Sequence, residues 1–270
     1  MLAAARLERI AALLRNRRTV SISELSEMFA TSEATIRRDL TKLETEGFVR
    51  RTYGGAISLL SSGLDASFSV RAQHHVPEKR AIAVAAAELV SDGETIVLDA
   101  GTTTAQLARV LRSRRNLTVV TNSVRAMNEL YDSDGVSVIA TGGVILTLGE
   151  PPQQSDLIMT GPVAEETLRR FRPSKAFLGT AGITMAEGMT NTVLPQTQIK
   201  RLLIEISEQV ILLTDCSKFG HVSYSIVAPV DVLDTVITDS CIKFEDRAAL
   251  EERGIHVTVV EPMAQAIREP

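Results

Sequence analysis

The chain has 270 residues, enough for one large domain or two unequal ones, and 44% of them are hydrophobic, which excludes global disorder. The formal net charge of −4 taken alone speaks against a nucleic-acid partner, but residues 1–56 hold ten Arg or Lys against seven Asp or Glu, net +3, while the remaining 214 hold 19 against 26, net −7. A basic head on an acidic body is the asymmetry to follow.

Leu7, Ile10 and Leu14 recur at helical spacing with Ala11 beside them, which predicts an amphipathic first helix fraying at Arg15-Asn16-Arg17-Arg18. Arg6, Glu8 and Arg9 interrupt this segment, so no signal-peptide core forms, and the longest apolar stretch, near Ala81 to Ala87, is too short to span a bilayer. Ser21 with Glu24 has the capping-box pattern and starts a second helix, with Leu25, Met28 and Phe29 expected on its apolar face. Ser32 is the next N-cap candidate, and Ile36, Leu40 and Leu43 line a third helix that runs to Gly47, a residue suited to close it. Three short helices with a tight turn between the last two predict helix-turn-helix geometry, in which the front of the later helix meets base edges. Ser32, Thr35, Arg37, Arg38 and Lys42 lie off its apolar stripe and are candidate DNA contacts. Arginine can read guanine or bind phosphate, and the sequence leaves both open. Phe48-Val49-Arg50-Arg51 predicts a strand that Tyr53-Gly54-Gly55 turns back into Ala56-Ile57, a wing whose Arg51 and Tyr53 can follow the phosphates. A small helical bundle without a nucleic-acid role shares the helical spacing.

Residues 58–76 are rich in Ser and Gly and lose apolar periodicity. The expected organisation is therefore a DNA-binding domain over 1–57, a linker over 58–76, an α/β domain over 77–262 and a tail over 263–270. His74 and His75 read as surface residues, because His221 and His256 are the only other histidines and no cysteine is near in sequence. Cys216 and Cys241, the only cysteines, form no close pair and fit no zinc spacing, so they read as reduced thiols of a cytoplasmic protein.

Pro77-Glu78-Lys79 opens an Ala-rich helix through Val90. Short apolar strands then alternate with helices: Thr95–Leu98, Leu117–Val120, Val136–Ile139, Ala176–Leu178, Val210–Leu213, Val236-Ile237 and His256–Val260 are the strands. Near-continuous apolar strands separated by helices predict a parallel sheet covered on both faces, an α/β architecture. Five of these strands end in polar loops: Asp99-Ala100-Gly101-Thr102-Thr103-Thr104, Thr121-Asn122-Ser123, Thr141-Gly142-Gly143, Gly179-Thr180-Ala181-Gly182 and Asp215-Cys216-Ser217-Lys218-Phe219-Gly220. Strand C-termini of such a sheet share one crevice. Gly101 permits close approach, the Thr run adds hydroxyl donors, the following helix offers its positive end, and Lys218 adds a full charge. Asp99 and Asp215 are acceptors suited to sugar hydroxyls, and Asn122 donates and accepts. The chemistry is that of a phosphorylated sugar or polyol, with Gly142, Gly143, Gly179 and Thr180 completing the candidate site. Neither a dinucleotide fingerprint nor a P-loop is present, and no cofactor or metal is expected.

The string Thr35-Ile36-Arg37-Arg38-Asp39-Leu40, then Leu43-Glu44, Gly47, Arg51 and Gly54-Gly55-Ala56, resembles the DeoR family of bacterial transcription regulators. The resemblance continues through Glu78-Lys79, Asp99-Ala100-Gly101-Thr102-Thr103-Thr104, Thr121-Asn122-Ser123, Gly142-Gly143, Gly188-Met189-Thr190, Lys200-Arg201 and Asp215-Cys216-Ser217-Lys218-Phe219-Gly220, covering roughly residues 5–240. It implies a winged helix-turn-helix, a sensor domain similar to the ribose-5-phosphate isomerase fold, and a sugar-phosphate effector on these loops. Two departures stand out. The family usually has His where Tyr53 stands, and relatives often carry glutamates around Pro195-Gln196-Thr197-Gln198. The expected function is a repressor of a carbohydrate or polyol operon, acting as a dimer or tetramer on double-stranded operator DNA, with no membrane partner. Two other readings stay open at this point. One is a sugar-phosphate isomerase with a DNA-binding head, using Asp99, Asp215, Glu187 and Lys218. The other is a constitutive DNA-binding protein whose large domain only oligomerises.

Overall fold

A computed structural model of the chain describes residues 6, 7, 9, 10, 13, 19–45, 49–52, 54–58, 67–147 and 155–262. Gly47, Tyr53, much of the expected linker, the expected tail and part of the expected first helix lie outside them. The chain divides into two compact units, Met1–Arg71 and Ala72–Pro270.

In the first unit, β1 (Thr19–Ser21) leads directly into α1 (Ile22–Met28), then α2 (Glu33–Thr45), β2 (Val49–Thr52) and β3 (Gly55–Ser58). Ser21 caps α1, its hydroxyl accepting from Glu24 N at 3.1 Å. The expected apolar face of this helix is corrected: Ile22 and Leu25 are buried, whereas Met28 is 48% exposed. Successive i+3 steps drift around a 3.6-residue helix, so Met28, at the last helical position, lies off the stripe of Ile22 and Leu25. Ser32 accepts from Thr35 N at 3.3 Å at the head of α2. Ile36, Leu40 and Leu43 of α2 pack with Ile10, Val20, Leu25, Val49 and Ala56 into one small core. Asp39, on the same helix, is buried and accepts from Arg6 Nε at 2.6 Å, tying residue 6 to α2.

The wing has a third strand that apolar patterning did not reveal. β1 joins the hairpin, giving the order β1-β3-β2, all antiparallel. A Cβ at Gly55 would meet Val20 O at 2.0 Å, so only glycine allows β3 to lie against β1.

Helix α3 (Phe68–Gln73) spans the division between the units, and the first helix wholly in the second unit is α4 (Val76–Glu88). There follow β4 (Thr95–Leu98), α5 (Thr102–Leu111), β5 (Leu117–Thr121), α6 (Val124–Leu130), β6 (Val136–Ala140), β7 (Val144–Leu146), β8 (Ile158–Thr160) and α7 (Pro162–Arg169). The remainder is β9 (Lys175–Leu178), β10 (Gly182–Thr184), β11 (Gly188–Asn191), α8 (Leu194–Ile206), β12 (Gln209–Leu213), β13 (Ser225–Ala228), β14 (Thr235–Asp239), α9 (Phe244–Glu251) and β15 (His256–Val260). Seven strands form one parallel sheet in the order β15-β14-β12-β9-β4-β5-β6.

Strand side chains alternate between two cores. Val97, Val120, Ala176, Leu178, Val210, Leu212 and Val236 face α7, α8 and α9. Ile96, Leu98, Val119, Phe177, Ile211, Leu213 and Ile237 face α4, α5 and α6. Burial on both faces explains why these strands read as continuous apolar runs. The alanines of α4 lie in the second core beside Leu107, Ala108 and Leu111 of α5, small residues that permit close helix approach. Two antiparallel additions, β7-β8 and β10-β11-β13, escaped the sequence reading because their strands are three or four residues long. Among the described residues no helix is long and apolar enough to cross a membrane.

Replacing Gly55 by Ala should destabilise the N-terminal unit by about 1–3 kcal/mol, because the added methyl must displace backbone. A lower urea midpoint, at unchanged slope, for far-UV ellipticity of residues 1–71 expressed alone is the check; an unchanged midpoint would show that β1 does not pack on β3.

Candidate functional site

The sheet order places five strand ends side by side. Strands β12, β9, β4, β5 and β6 are consecutive, so the loops after them form a row along one edge. From β4 the chain winds outward to β5 and β6, then returns to β9 on the other side of β4. The β4/β9 boundary is therefore the topological switch point, where the two loops diverge and leave a crevice.

Asp99 sits on this boundary and is fully buried. Its Oδ2 accepts from Gly179 N at 3.2 Å and pairs with Lys200 Nζ, while its Oδ1 has no hydrogen-bond partner. Lys200, also buried, donates in addition to Gly179 O at 2.7 Å. Three groups thus clamp β4 to β9. Nearby, Gln196 Nε2 donates to Ala100 O at 3.0 Å and its Oε1 accepts from Asn191 Nδ2 at 3.0 Å. Sequence reasoning did not place Lys200, Gln196 or Asn191 in the site. Two signals pointed there: the Lys200-Arg201 motif and the departure at Pro195–Gln198.

The other loop residues divide by whether their polar atoms are already used. Thr121 Oγ1 donates to Leu98 O at 2.7 Å and accepts from Ser123 N at 3.0 Å, knitting β5 to β4. Ser123 caps α6 by accepting from Ala126 N at 3.1 Å. Thr180 Oγ1 bonds to Gly182 O at 2.8 Å and Thr190 O at 3.0 Å, closing the β10–β11 hairpin. Thr104 Oγ1 donates to Gly101 O at 3.1 Å. Thr102 and Thr103, buried in the first turn of α5, follow Gly101, the N-cap. Gly142 and Gly143 both have positive φ, and a Cβ on Gly143 would meet Thr160 O at 2.4 Å, so this loop is shaped by its contact with β8.

Asn122 differs from its neighbours. Its backbone carbonyl accepts from Met159 N at 2.8 Å, yet both atoms of its fully buried side-chain amide have no hydrogen-bond partner. Buried amides are almost always satisfied, so an unpartnered one at a strand end points to a ligand or ordered water. Asp215 caps a short 3-10 turn, Cys216–Lys218, accepting from Ser217 N at 3.2 Å and from its hydroxyl. Burial pushes its carboxyl up, but Lys218, Lys79, the Ser217 hydroxyl and His75 together hold it below its usual 3.8. Lys79, buried on α4, also donates to His74 O at 2.7 Å, and His75 holds the left-handed conformation at the head of α4.

The expectation of separate reduced cysteines is corrected: Cys216 and Cys241 are joined as a disulfide. They follow β12 and β14, adjacent in the sheet, so 25 residues of chain bring them together, a juxtaposition invisible to spacing. The Cys216, Cys241 and Asp239 ligand atoms lie within 4.8 Å of one another. Yet Asp239 Oδ2 accepts from Cys216 N at 2.8 Å and Oδ1 from Cys241 N at 3.1 Å, and the sulfurs are bonded to each other. The donor set is a backbone-anchored disulfide and not a metal centre.

In the N-terminal unit, the core stripe of α2 leaves Thr35, Arg38 and Lys42 at positions i, i+3 and i+7 on another face, and both Arg38 and Lys42 are exposed. Arg37 pairs with Glu33 at 3.2 Å, and Arg51 donates to Thr41 Oγ1 at 2.9 Å. Ser32 and Thr35 hydroxyls share a 2.9 Å bond. The Arg38 side chain has no hydrogen bond or ion pair among the described residues.

A wing beside a two-helix reader, followed by a parallel-sheet unit with a polar row of strand ends, defines a ligand-sensing DNA-binding regulator. Residues 6–62 match the DeoR-like helix-turn-helix domain, and residues 74–240 match the DeoR C-terminal sensor domain. The chain is 38% identical over 260 residues to an uncharacterized HTH-type transcriptional regulator of Bacillus subtilis, covering 96% of this chain and 98% of that one. It is 36% identical over 233 residues to the transcriptional repressor AccR of Agrobacterium fabrum, covering 86% and 88%. The chain belongs to the DeoR family of transcription regulators. Among solved structures, ribose 5-phosphate isomerase A from Methanocaldococcus jannaschii shares 19% identity at a TM-score of 0.38, covering 52% of this chain and 53% of that one, a likeness that bears on neither ligand nor activity.

Two outcomes follow from the geometry. Lys200→Met should destabilise the second unit by about 3–5 kcal/mol, because it strands the Asp99 carboxylate in the core; an unchanged denaturant midpoint would show that the pair is dispensable. The depressed Asp215 pKa implies stability that is complete above pH 3.8 and lost as pH falls through the lower folded value. The gap in melting temperature between the wild type and Asp215→Asn should therefore be widest at neutrality and close on acidification below that point. A gap independent of pH would refute the assignment.

Proposed function

We propose that the chain is a repressor of a carbohydrate or polyol catabolic operon, acting in the cytoplasm as a homo-oligomer, dimer or tetramer. Ser32, Thr35, Arg37, Arg38, Lys42, Arg51 and Tyr53 contact double-stranded operator DNA. A phosphorylated sugar or polyol, held by the five strand-end loops, releases it. The observation that carries the sensor half is the unpartnered, fully buried Asn122 amide, in the same row as the Asp215–Lys218 turn and the N-terminus of α5. An amide suits hydroxyls, while Lys218 and the helix terminus suit phosphate. Effector binding shifts the population toward an arrangement with lower DNA affinity, which requires only that the effector bind the two arrangements unequally. Asp215, held ionised, is tuned away from a general base poised near neutrality, which disfavours the isomerase reading.

The test is a mobility-shift titration on DNA upstream of the protein's own operon, repeated with a panel of sugar phosphates. Wild type should shift the DNA and one phosphate should release it. Arg38→Ala should weaken binding by about tenfold or more, the cost of about 1–3 kcal/mol for one lost base contact. Asn122→Ala should still bind DNA but lose the release. No shift at low salt would overturn the regulator reading; a shift that no phosphate reverses would overturn the sensor reading.

A further inference from the structure

We propose that Cys216 and Cys241 are a reversible dithiol–disulfide site, exchanging with low-molecular-weight disulfides, whose oxidation state sets the rigidity of the Asp215–Lys218 turn.

The backbone is arranged for the bond to open and close in place. The two Cα atoms lie 5.7 Å apart, within the range a disulfide spans without backbone movement. The buried Asp239 carboxylate accepts from both cysteine N–H groups, so the two loops are held together whether or not the sulfurs are bonded. A pair held in this way re-forms after reduction with little chain entropy to lose. Access is asymmetric: Cys241 is exposed and Cys216 half-buried. A disulfide in a protein that works on DNA beside a reducing thiol pool is ordinarily transient and regulatory and not a permanent staple; this step rests on the regulator reading given above.

The exchange balances without any other reactant. The exposed Cys241 thiolate attacks a disulfide RSSR, forming a mixed disulfide and expelling one thiolate RS⁻. The Cys216 thiolate then displaces the second RS⁻, giving the Cys216–Cys241 bond. Two cysteine sulfurs are oxidised, one RSSR is reduced to two RSH, and the two cysteine protons pass to the departing thiolates. The consequence falls on the candidate effector site. Cys216 begins the turn that ends at Lys218 and that Asp215 caps. Oxidation ties this turn to the end of β14; reduction removes that tie and leaves the turn held by hydrogen bonds, among them the Asp215 cap, Asp239–Cys216, Lys218 N to Asp215 O and Phe219 N to Cys216 O.

The full-length protein, free of DNA and effector, is equilibrated in buffers of graded oxidised-to-reduced glutathione ratio, quenched in acid and alkylated for intact mass. The expected result is loss of two alkylatable thiols together, reversed by reductant. In hydrogen exchange, amides 216–218 should exchange about tenfold faster in the reduced form, with the strands unchanged. Cys241→Ser should show neither the paired thiol loss nor any difference in exchange. The proposal is overturned if the thiols never pair, if they stay paired in the most reducing buffer, if the turn exchanges equally in both forms, or if Cys241→Ser keeps the difference. All readouts come from the unliganded chain, so a failed DNA or effector experiment leaves this test standing.

Discussion

The second unit depends on one buried charge pair. Asp99 ends β4 and Lys200 lies in α8, about a hundred positions later in the chain, yet the two meet at the boundary where the sheet reverses its winding. Burying either ion alone would cost several kcal/mol; together, with Gly179 contributing an N–H to the carboxylate and a carbonyl to the ammonium, most of their polar valences are met. The pair fastens β9 to β4 and α8 to both at the place where loops must diverge. Every strand-end loop in the row is positioned relative to that junction.

Around it, the polar residues of the loops do two kinds of work. Thr121, Ser123 and Thr180 spend their hydroxyls on the scaffold, on a neighbouring strand, a helix start and a hairpin. Rigid loops are what let Asn122 keep an unpartnered amide in the interior, since a mobile loop would collapse to satisfy it. Gln196 links the loop after β4 to Asn191, so the start of α8 touches the site's frame. Asp215 keeps its charge through neighbours drawn from two elements: Lys218 and Ser217 on its own turn, Lys79 and His75 at the start of α4.

The N-terminal unit solves a smaller problem with the same economy. Its core of a few aliphatic side chains is supplemented by Arg6–Asp39 and by a third wing strand that only Gly55 permits. Arg37 is paired with Glu33 and Arg51 with Thr41, which limits the conformations these two side chains sample.

Much of this was legible without coordinates, because it depends on local rules. The period-3.6 stripe of Ile36, Leu40 and Leu43, the Ser21 and Ser32 caps, and the apolar runs that become β4, β5, β6, β9 and β12 are each dictated by residues within one element. Even the row of strand-end loops follows from alternation of strand and helix. Tertiary structure alone decided three things. It decided strand order, and hence that Asp99 faces Lys200. It also decided which loop hydroxyls are consumed by the scaffold, and that Cys216 meets Cys241. Local pattern says which way a side chain points relative to its own element, but contacts across the sheet depend on which strands become neighbours, and that choice is made by packing two cores at once.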